Sequence, residues 1–320
     1  MAVTSTPSPA ELRRIACDAA ATCAPELARA FRSTPAELQV ATKRNTHDLV
    51  TLHDRATEDA LVAFLEQAVP GSRFTGEEGG SRGGHGLPDD GAGTEAPGSP
   101  PAVGGQVEWI IDPIDGTSNF AHGFAMFSVS IAAAVDGEVV AGVVLDPVGG
   151  LEFSADEAGA YLNGERFGAG APVAEPEDGA GAGPADESSL NVVTSYPSAE
   201  ALELDGTAAL ERFGRLVDTY ATVRRTVSGA LECAYTAIGW ADATLGVDTN
   251  PWDVAVGQLL VTRAGGTYVP RFYDTDGPER RAAHLAPCYL AVAPGRQAPT
   301  AVRVLEETVT ARRAAGYRGR

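Results

Sequence analysis

The feature that most constrains this chain is a short apolar run, residues 107–111, that ends directly in the sequence Asp-Pro-Ile-Asp-Gly-Thr at residues 112–117. A run of this length predicts a buried β-strand, and a carboxylate buried at its end is costly unless its charge is compensated. Divalent cations compensate such charge, and Mg²⁺ prefers hard oxygen ligands. Proline fixes a turn and delays any helix. Asp112, Asp115 and the carbonyl of Ile114 are therefore predicted to converge on one point.

Two further acidic clusters follow predicted elements. Glu77 and Glu78, flanked by glycines, follow a predicted strand at residues 73–76, and Asp253 stands where a predicted helix begins. Each cluster alone has an ordinary explanation, since Asp is a common N-cap residue, and Glu-Glu or Asp-Gly is typical of a solvated turn. Together with the free backbone N–H groups predicted at residues 116–118, the clusters indicate metal-assisted phosphoryl transfer.

The first half of the chain has the pattern of an α+β unit. Periodicity predicts a helix over residues 8–31 and a second helix that begins near Asp54 and ends before Pro70. Residues 79–106 contain Gly, Pro, Ser and Asp with almost nothing apolar, which predicts a mobile loop. The predicted strands, two of them joined by a hairpin turn at Asp136-Gly137, are residues 73–76, 107–111, 127–135, 139–146, 151–154 and 159–162.

A second stretch of low complexity divides the chain. Residues 168–187 predict a linker between an N-terminal metal-binding domain, residues 1–167, and a C-terminal α/β domain, residues 188–320. Strand and helix patterns alternate in the second domain, which is typical of an α/β layer. The predicted strands are residues 190–195, 222–227, 242–247, 267–270 and 288–293. The predicted helices are residues 207–219, 229–239, 252–264 and 298–313.

Charge and cysteine content disfavour several classes of protein. With 24 Lys and Arg against 43 Asp and Glu, the net charge is −19. This disfavours nucleic acid as a partner, because a surface that binds a duplex must neutralise phosphates. An anionic substrate would then need bound cations to attract it. The first residues lack an apolar run behind a basic start, so we expect no signal peptide. The sequence also has no run that could span a bilayer and no cysteine pair for a metal, so we expect a cytoplasmic protein without a membrane partner.

Four segments, in order along the chain, resemble the inositol monophosphatase family. They are Asp48-Leu-Val-Thr-Leu-His-Asp54, Gly76-Glu77-Glu78, Asp112-Pro-Ile-Asp-Gly-Thr-Ser-Asn-Phe120 and Trp252-Asp253-Val-Ala-Val-Gly-Gln-Leu-Leu-Val-Thr-Arg-Ala-Gly-Gly266. Lys43 precedes the first segment as the family's lysine does, and the resemblance extends over about residues 10 to 310. It implies a layered αβαβα sandwich of the inositol monophosphatase and fructose-bisphosphatase type, combining α+β and α/β parts. It also implies a lithium-sensitive, homodimeric phosphoric monoester hydrolase.

The resemblance implies a centre of two to three Mg²⁺ ions. The implied ligands are Glu77, Asp112 and the Ile114 carbonyl for one ion, and Asp112, Asp115 and Asp253 for a second. A third, weaker ion would lie near Glu77. Lys43 would lie close to this cluster as a counter-charge, and Glu78 belongs to the same family segment as Glu77.

The resemblance also implies how hydrolysis would proceed. The phosphate would lie against the backbone amides of Gly116 and Thr117. Glu77 and Thr117 would orient the attacking water, and Asp54 would bind the Thr117 hydroxyl from behind. Bound metal would lower the pKa of that water and stabilise the leaving alkoxide, so no covalent enzyme intermediate is needed.

Substrate contacts are where the chain departs from the family. Ser228, Gly229 and Ala230 match a segment that lies over the substrate in family members. Many members also have a Glu shortly before the Trp-Asp pair, but residues 243–251 contain none, which leaves Asp248 or Thr244 as possible substitutes. The predicted substrate is a phosphate monoester of a small polyol, sugar or related metabolite. Histidinol phosphate, a sugar bisphosphate and a 3′-phosphonucleotide are alternatives, and a non-catalytic phosphate-binding regulator is an alternative of another class.

Overall fold

The computed structural model of the 320-residue chain describes residues 6–43, 49–83, 105–170, 186–274 and 281–319. Within these ranges the helices are α1 Pro9–Ala30, α2 Leu52–Ala68, α3 Thr117–Ala121, α4 Ala199–Asp205, α5 Thr207–Thr219, α6 Gly229–Ile238, α7 Pro251–Arg263 and α8 Pro299–Ala314. The strands are β1 Ala41–Thr42, β2 Leu49–Val50, β3 Arg73–Gly76, β4 Gly80–Gly83, β5 Val107–Asp115, β6 Ser128–Val135, β7 Glu138–Asp146, β8 Leu151–Asp156, β9 Gly159–Leu162, β10 Glu165–Phe167, β11 Asn191–Thr194, β12 Thr222–Arg225, β13 Ala243–Val247, β14 Thr267–Arg271 and β15 Cys288–Val292. None of the described helices combines the length and the apolar character that a membrane span requires.

Two sheets form the framework of the molecule. The larger sheet has eight strands in the order β10-β9-β8-β7-β6-β5-β3-β4 and is antiparallel except where β3 lies parallel to β5. The smaller sheet has the order β12-β11-β13-β15-β14, with β11 parallel to β12 and β13, and β15 antiparallel to β13 and β14. Strands β1 and β2 form a separate two-stranded ribbon.

The helices lie in three layers around these sheets. Helices α1 and α2 pack on the outer face of the large sheet, α6 and α7 lie between the two sheets, and α5 and α8 pack on the outer face of the small sheet. The predicted αβαβα sandwich is therefore confirmed. Helices α6 and α7 contact both sheets, and the first amides of α6 bind Asp115 at the end of β5.

One apolar core extends across the middle helical layer. It includes Ile110 from the large sheet, Val254 from α7 and Tyr289 from the small sheet. The two halves of the chain therefore share buried surface, rather than each enclosing only its own core. The predicted linker at residues 168–187 stays a prediction, because residues 171–185 lie outside the described residues.

Strand β5 is longer than predicted. It does not end at residue 111 but continues through Pro113 to Asp115, and its register with β6 shifts between Asp112 and Asp115. A proline has no N–H for the ladder, and a local irregularity is the usual way a sheet accommodates one. The turn predicted at this proline is wrong. The irregularity instead brings both aspartates to the end of the strand.

Part of the segment that the sequence predicts as a mobile loop is a strand. Gly80–Gly83 forms β4, which pairs antiparallel with β3. Backbone hydrogen bonds to a neighbouring strand are available to any residue with an N–H group, so this edge strand forms without apolar side chains. Residues 84–104 of the predicted loop lie outside the described residues.

The other elements differ from the prediction at a helix start and in two short elements. Helix α2 begins at Leu52, two residues before the predicted start, because Thr51 and Asp54 form a capping box. The short elements α4 and β10 were not predicted, since so few residues show no clear periodicity. The predicted hairpin between β6 and β7 is confirmed, with φ of 52° at Asp136 and 82° at Gly137.

Candidate active site

Three carboxylates meet where β5 ends and α7 begins. One oxygen from each of Asp112, Asp115 and Asp253 lies within 4.8 Å of the others. Asp112 and Asp115 are only 2% and 5% exposed. The structure thus brings together three predicted metal ligands from distant parts of the sequence, at a spacing that lets them share cations.

Asp115 is held by the first turn of α6. Its Oδ1 accepts a hydrogen bond from the Gly229 N–H at 3.0 Å, and its Oδ2 accepts from the Ala230 N–H at 3.0 Å. The Ser228 hydroxyl also donates to Oδ2. Amides at a helix N-terminus carry partial positive charge, which stabilises a carboxylate there. Ser228, Gly229 and Ala230 therefore bind a predicted metal ligand, and their predicted contact with the substrate stays a prediction.

Asp253 is a helix cap as well as a candidate ligand. Its Oδ2 accepts a hydrogen bond from the Asn250 N–H at 2.7 Å, and the two residues form a capping box at the start of α7. A carboxylate has two oxygens, so capping through one does not prevent the other from binding a cation. The two explanations that the sequence leaves open, cap and ligand, are compatible.

Burial and mutual repulsion raise the pKa values of these three carboxyls. Burial raises the pKa of Asp115 to about 6 and that of Asp253 to about 8, and the Glu77 charge adds to both shifts. Burial also raises the pKa of Asp112, with the charges of its acidic neighbours adding to the effect. The ionised cluster is therefore unfavourable by itself. Divalent cations would remove this penalty, and carboxylate oxygens are the donors that Mg²⁺ prefers, so the residues present fit the metal.

Glu77 lies in the turn between β3 and β4, and after burial its charge is the next cause of the raised pKa of Asp112. Its N–H donates to the Ile111 carbonyl at 3.2 Å, which ties the turn to β5. The Lys43 ammonium lies 2.9 Å from Glu77 Oε1 and also contacts the Glu78 carboxylate. Lys43 thus lies where the resemblance implies, next to an acidic cluster whose charge it partly balances.

Asp54 binds the hydroxyl of Thr117. The Thr117 hydroxyl donates to Asp54 Oδ1 at 2.9 Å and lies 3.0 Å from the Ile114 carbonyl. Asp54 Oδ2 accepts from the N–H and the hydroxyl of Thr51, at 2.6 and 2.7 Å, so the cap of α2 orients this carboxylate. Burial raises the pKa of Asp54 to about 6. The predicted hydrogen bond between Asp54 and Thr117 is present, and it leaves the Thr117 oxygen free to accept another.

Gly116 allows a close approach between α3 and the segment before α6. Its φ is 92°, and a Cβ would lie 2.9 Å from the Met126 carbonyl oxygen and 3.1 Å from that of Val227. Only glycine fits such a position. Asn119 Nδ2 donates to the carbonyls of Met126 and Thr226, at 2.6 and 2.7 Å, and so fastens the two segments together. The predicted contact of a phosphate with the amides at this turn stays a prediction.

Asp248 does not join the cluster. Its Oδ1 accepts from the Tyr273 hydroxyl at 2.7 Å, and its Oδ2 accepts from Arg312 Nη1 at 2.5 Å. The side chain is 7% exposed within this ion pair. Both oxygens are therefore engaged by the fold, because a buried arginine requires a paired charge. This position argues against the predicted contact of Asp248 with the substrate.

The rest of the segment before α7 is also engaged elsewhere. The Thr244 hydroxyl is fully buried and donates to the Glu232 carbonyl at 3.0 Å. Gly246 lies on the same face of β13, and a Cβ there would be 2.0 Å from a ring carbon of Tyr289. The Tyr289 ring of β15 therefore fills the space next to Gly246, and the Thr244 hydroxyl already has a partner, so these two positions of β13 offer the cluster no acidic side chain.

Two buried carboxylates near the cluster are missing from the sequence-based assignment. Glu232 Oε1 accepts from the hydroxyls of Ser195 and Thr226 at 2.9 and 2.7 Å, and burial raises its pKa to about 7. Glu58 accepts from backbone amides next to Glu77. Each is an acidic residue on the buried side of a helix. An acidic residue among the apolar positions of a helical pattern is the sequence signal that could identify such residues, since acids are seldom fully buried unless they are paired.

Comparison with known proteins gives concordant findings. The model of the inositol monophosphatase family matches residues 8–308. Nus factor SuhB of Pseudomonas aeruginosa is 35% identical over 226 residues, which cover 70% of this chain and 73% of the relative. IMPase from Thermotoga maritima has a TM-score of 0.66 and 26% identity, with 92% of this chain and 96% of that one covered. Extragenic suppressor protein SuhB from Bartonella henselae has a TM-score of 0.70 and 24% identity, with 93% and 98% covered.

Proposed function

Because the chain belongs to the inositol monophosphatase family, we propose that it hydrolyses a phosphate monoester of a small polyol, sugar or related metabolite with Mg²⁺. The observation that carries this proposal is the meeting of Asp112, Asp115 and Asp253 within 4.8 Å. Buried carboxylates at this density are costly unless cations bind between them.

Two to three Mg²⁺ ions are proposed at this site. Glu77, Asp112 and the Ile114 carbonyl would hold one ion, and Asp112, Asp115 and Asp253 would hold a second, with a third near Glu77. Bound Mg²⁺ would polarise the phosphoryl group and lower the pKa of water. The raised pKa values of Asp112, Asp115 and Asp253 support this assignment, since burial first, and then the charges of acidic neighbours, make the ionised carboxylates unfavourable without a cation.

Thr117 and Glu77 are proposed to orient the attacking water. Because the Thr117 hydroxyl donates its proton to Asp54, its oxygen can accept a hydrogen bond from that water. The Glu77 carboxylate is the proposed acceptor for a hydrogen bond from the other hydrogen of this water. Lys43 partly balances the charge of Glu77. In this scheme the side chains supply position and charge, and none of them forms a bond to phosphorus.

The substrate is proposed to bind without a charged acceptor from β13 or from Asp248, which follows it. Asp248 and Thr244 are both engaged elsewhere. A site discriminates strongly for hydroxyl groups only when the wrong ligand leaves buried polar groups unpaired. We therefore expect inositol 1-phosphate to be at best a mediocre substrate. Histidinol phosphate, a sugar bisphosphate and a 3′-phosphonucleotide belong in the same test panel.

Release of phosphate from a panel of monoesters tests the proposed function. Asp115→Asn should lower kcat at least about 100-fold, as loss of a central electrostatic group does. Chelation of Mg²⁺ should stop turnover reversibly, and Li⁺ should inhibit at limiting Mg²⁺. Asp18→Asn is the control, because Asp18 is an exposed residue paired with Arg14 on α1, and it should keep wild-type kcat. Full activity after chelation, or in Asp115→Asn, would contradict the proposal.

A non-catalytic phosphate-binding regulator is the second candidate. The observation that favours it is the name of the relative at 35% identity, a Nus factor. Retention of the acidic cluster favours hydrolysis instead, because a protein that only binds phosphate has no need for several buried carboxylates. Calorimetry and phosphate release on the same panel separate the two candidates. Tight binding of a phosphate ester without any hydrolysis would support the second.

A further inference from the structure

Helix α2 carries a second buried carboxylate one turn after Asp54. Glu58 is 2% exposed and lies four residues after Asp54, so both side chains leave the same face of the helix. Asp54 binds Thr117, whereas Glu58 faces the turn between β3 and β4. A carboxylate buried this deeply is costly unless hydrogen bonds satisfy it. Its partners therefore indicate its role.

Glu58 binds two successive backbone amides of that turn. Its Oε2 accepts from the Glu78 N–H at 2.9 Å, and its Oε1 accepts from the Gly79 N–H at 2.8 Å. Arg82 Nη2 lies 3.5 Å from Oε1 and supplies an opposite charge. Hydrogen bonds from amides to an ionised carboxylate are stronger than those between neutral groups. They fix the peptide units that directly follow Glu77.

The glycines on either side of Glu77-Glu78 leave room for this carboxylate. A Cβ on Gly76 would lie 2.4 Å from Glu58 Oε2, and a Cβ on Gly79 would lie 2.6 Å from Oε1. Both distances are far below van der Waals contact. Neither glycine is among those with a left-handed φ, so conformational freedom does not explain them. The Gly-Glu-Glu-Gly sequence and Glu58 form one structural unit.

We propose that Glu58 is a positioning residue for the Glu77 carboxylate. On one side, Glu77 is tied through its own N–H to the Ile111 carbonyl at 3.2 Å. On the other side, the amides of Glu78 and Gly79 are tied to Glu58. The backbone of Glu77 is therefore held at both ends, which determines where its side chain leaves the chain relative to β5.

One face of α2 thereby places both residues that are proposed to orient the water. Asp54 holds Thr117, and Glu58 holds the turn that carries Glu77. Groups behind metal ligands commonly tune metal affinity and activity in this way. The expected effect on turnover rests on the proposed function, whereas the expected effect on Mg²⁺ binding does not require hydrolysis.

Glu58→Gln tests this inference. Glutamine keeps the size of the side chain but has one accepting oxygen, so its NH₂ group would face one of the two amides. Calorimetric titration of the substrate-free protein should show Mg²⁺ affinity reduced by about tenfold or more. The Mg²⁺ concentration for half-maximal phosphate release should rise by a similar factor. The KM for the ester at saturating Mg²⁺ should change by less than about twofold, because Glu58 does not touch it.

Glu66→Gln is the matched control. Glu66 also lies on α2, and its Oε1 accepts from the Gly71 N–H at 3.2 Å, in the turn before β3 rather than after it. Both substitutions remove a carboxylate that holds a turn, so both should lower the melting temperature. Of these two substitutions, only Glu58→Gln should weaken Mg²⁺ binding. Gly79→Ala displaces the same carboxylate from the other side and should weaken Mg²⁺ binding too, even if Glu58→Gln fails to fold.

The outcomes separate this inference from the proposed function. Unchanged Mg²⁺ affinity in folded Glu58→Gln or Gly79→Ala would overturn it, and Glu58 would then only stabilise the fold. If the wild-type protein binds Mg²⁺ but releases no phosphate from any ester, the proposed function fails, and the titration still decides the role of Glu58. A wild-type protein that binds no Mg²⁺ would overturn both.

Discussion

Single residues of the site also serve the fold. Asp253 caps α7, Asp54 closes the capping box of α2, and Asp115 is bound by the first amides of α6. The start of a helix stabilises a carboxylate through free amides and the helix dipole. The same positions that favour an acid for folding therefore also present it to a cation. A substitution at any of them is expected to affect stability as well as metal binding.

Val227 has a backbone conformation that β-branched residues rarely adopt. Its φ of 56° costs about 1 to 2 kcal/mol for such a residue. It stands between Thr226, whose carbonyl binds Asn119, and Ser228, which binds Asp115. Val227→Gly should raise the free energy of unfolding, measured with urea, by about 1 kcal/mol, because the relief of strain exceeds the added freedom of the unfolded chain.

Val217→Gly is the control for this prediction. Val217 is half exposed within α5, where glycine should lower the free energy of unfolding by a few tenths of a kcal/mol. The two valine-to-glycine changes should therefore have opposite signs. Equal losses of stability in both variants would show that residue 227 is not strained.

At the scale of elements, α8 secures the turn between β13 and α7. Arg312 binds Asp248 at 2.5 Å and Asp205 at 2.9 Å. Asp248→Asn removes one charge, and asparagine tolerates the φ of 58° at this position. We expect the free energy of unfolding to fall by about 2 to 3 kcal/mol, since part of the buried Arg312 charge loses its partner. The ranking of phosphate esters by kcat/KM should stay that of the wild type.

The surface pair of Asp274 and Arg281 provides the comparison. Both side chains are about half exposed, so Asp274→Asn should cost less than about 1 kcal/mol. A different result would contradict this expectation. If Asp248→Asn changes the ranking of the substrates and leaves stability unchanged, that result would support the contact between Asp248 and the substrate that the sequence predicts.

For the whole molecule, the raised carboxyl pKa values predict that the metal-free protein loses stability as pH rises. Burial raises the pKa to about 6 in Asp54 and Asp115, about 7 in Glu232 and about 8 in Asp253. Unfolded carboxyls titrate near pH ~4. Between these values the folded state binds more protons than the unfolded state, so the free energy of unfolding falls with rising pH. With chelator present, the melting temperature should be a few degrees lower at about pH 8 than at about pH 6.

Mg²⁺ should cancel this dependence on pH. It binds the ionised carboxylates of the folded state, so it should raise the melting temperature more at the higher pH. Glu232→Gln removes one titrating group. Without metal, the free energy of unfolding of this variant should therefore fall less steeply with pH, by up to about 1.4 kcal/mol per pH unit. A chelated wild-type protein whose melting temperature does not change between these pH values would contradict the prediction.

The sequence by itself determined the local structure and the metal-binding character of this protein. The apolar run that ends in Asp112 and Asp115, and the hairpin at Asp136-Gly137, are patterns of a few neighbouring residues. Burial periodicity and turn chemistry act over such distances, so elements of this kind can be predicted. The resemblance to a family added the order of the layers, because it carries tertiary information that one sequence lacks.

Only the tertiary structure decided what each buried carboxylate binds. Asp248 and Arg312 are 64 positions apart, and Glu58 and Gly79 are 21 apart. An acidic residue in or beside a helix has the same local pattern whether it meets an arginine, two amides or a cation. Its partner depends on how α6 and α7 pack between the two sheets and on how α2 lies against β5. That packing depends on contacts between residues distant in the chain, and local sequence patterns do not encode them.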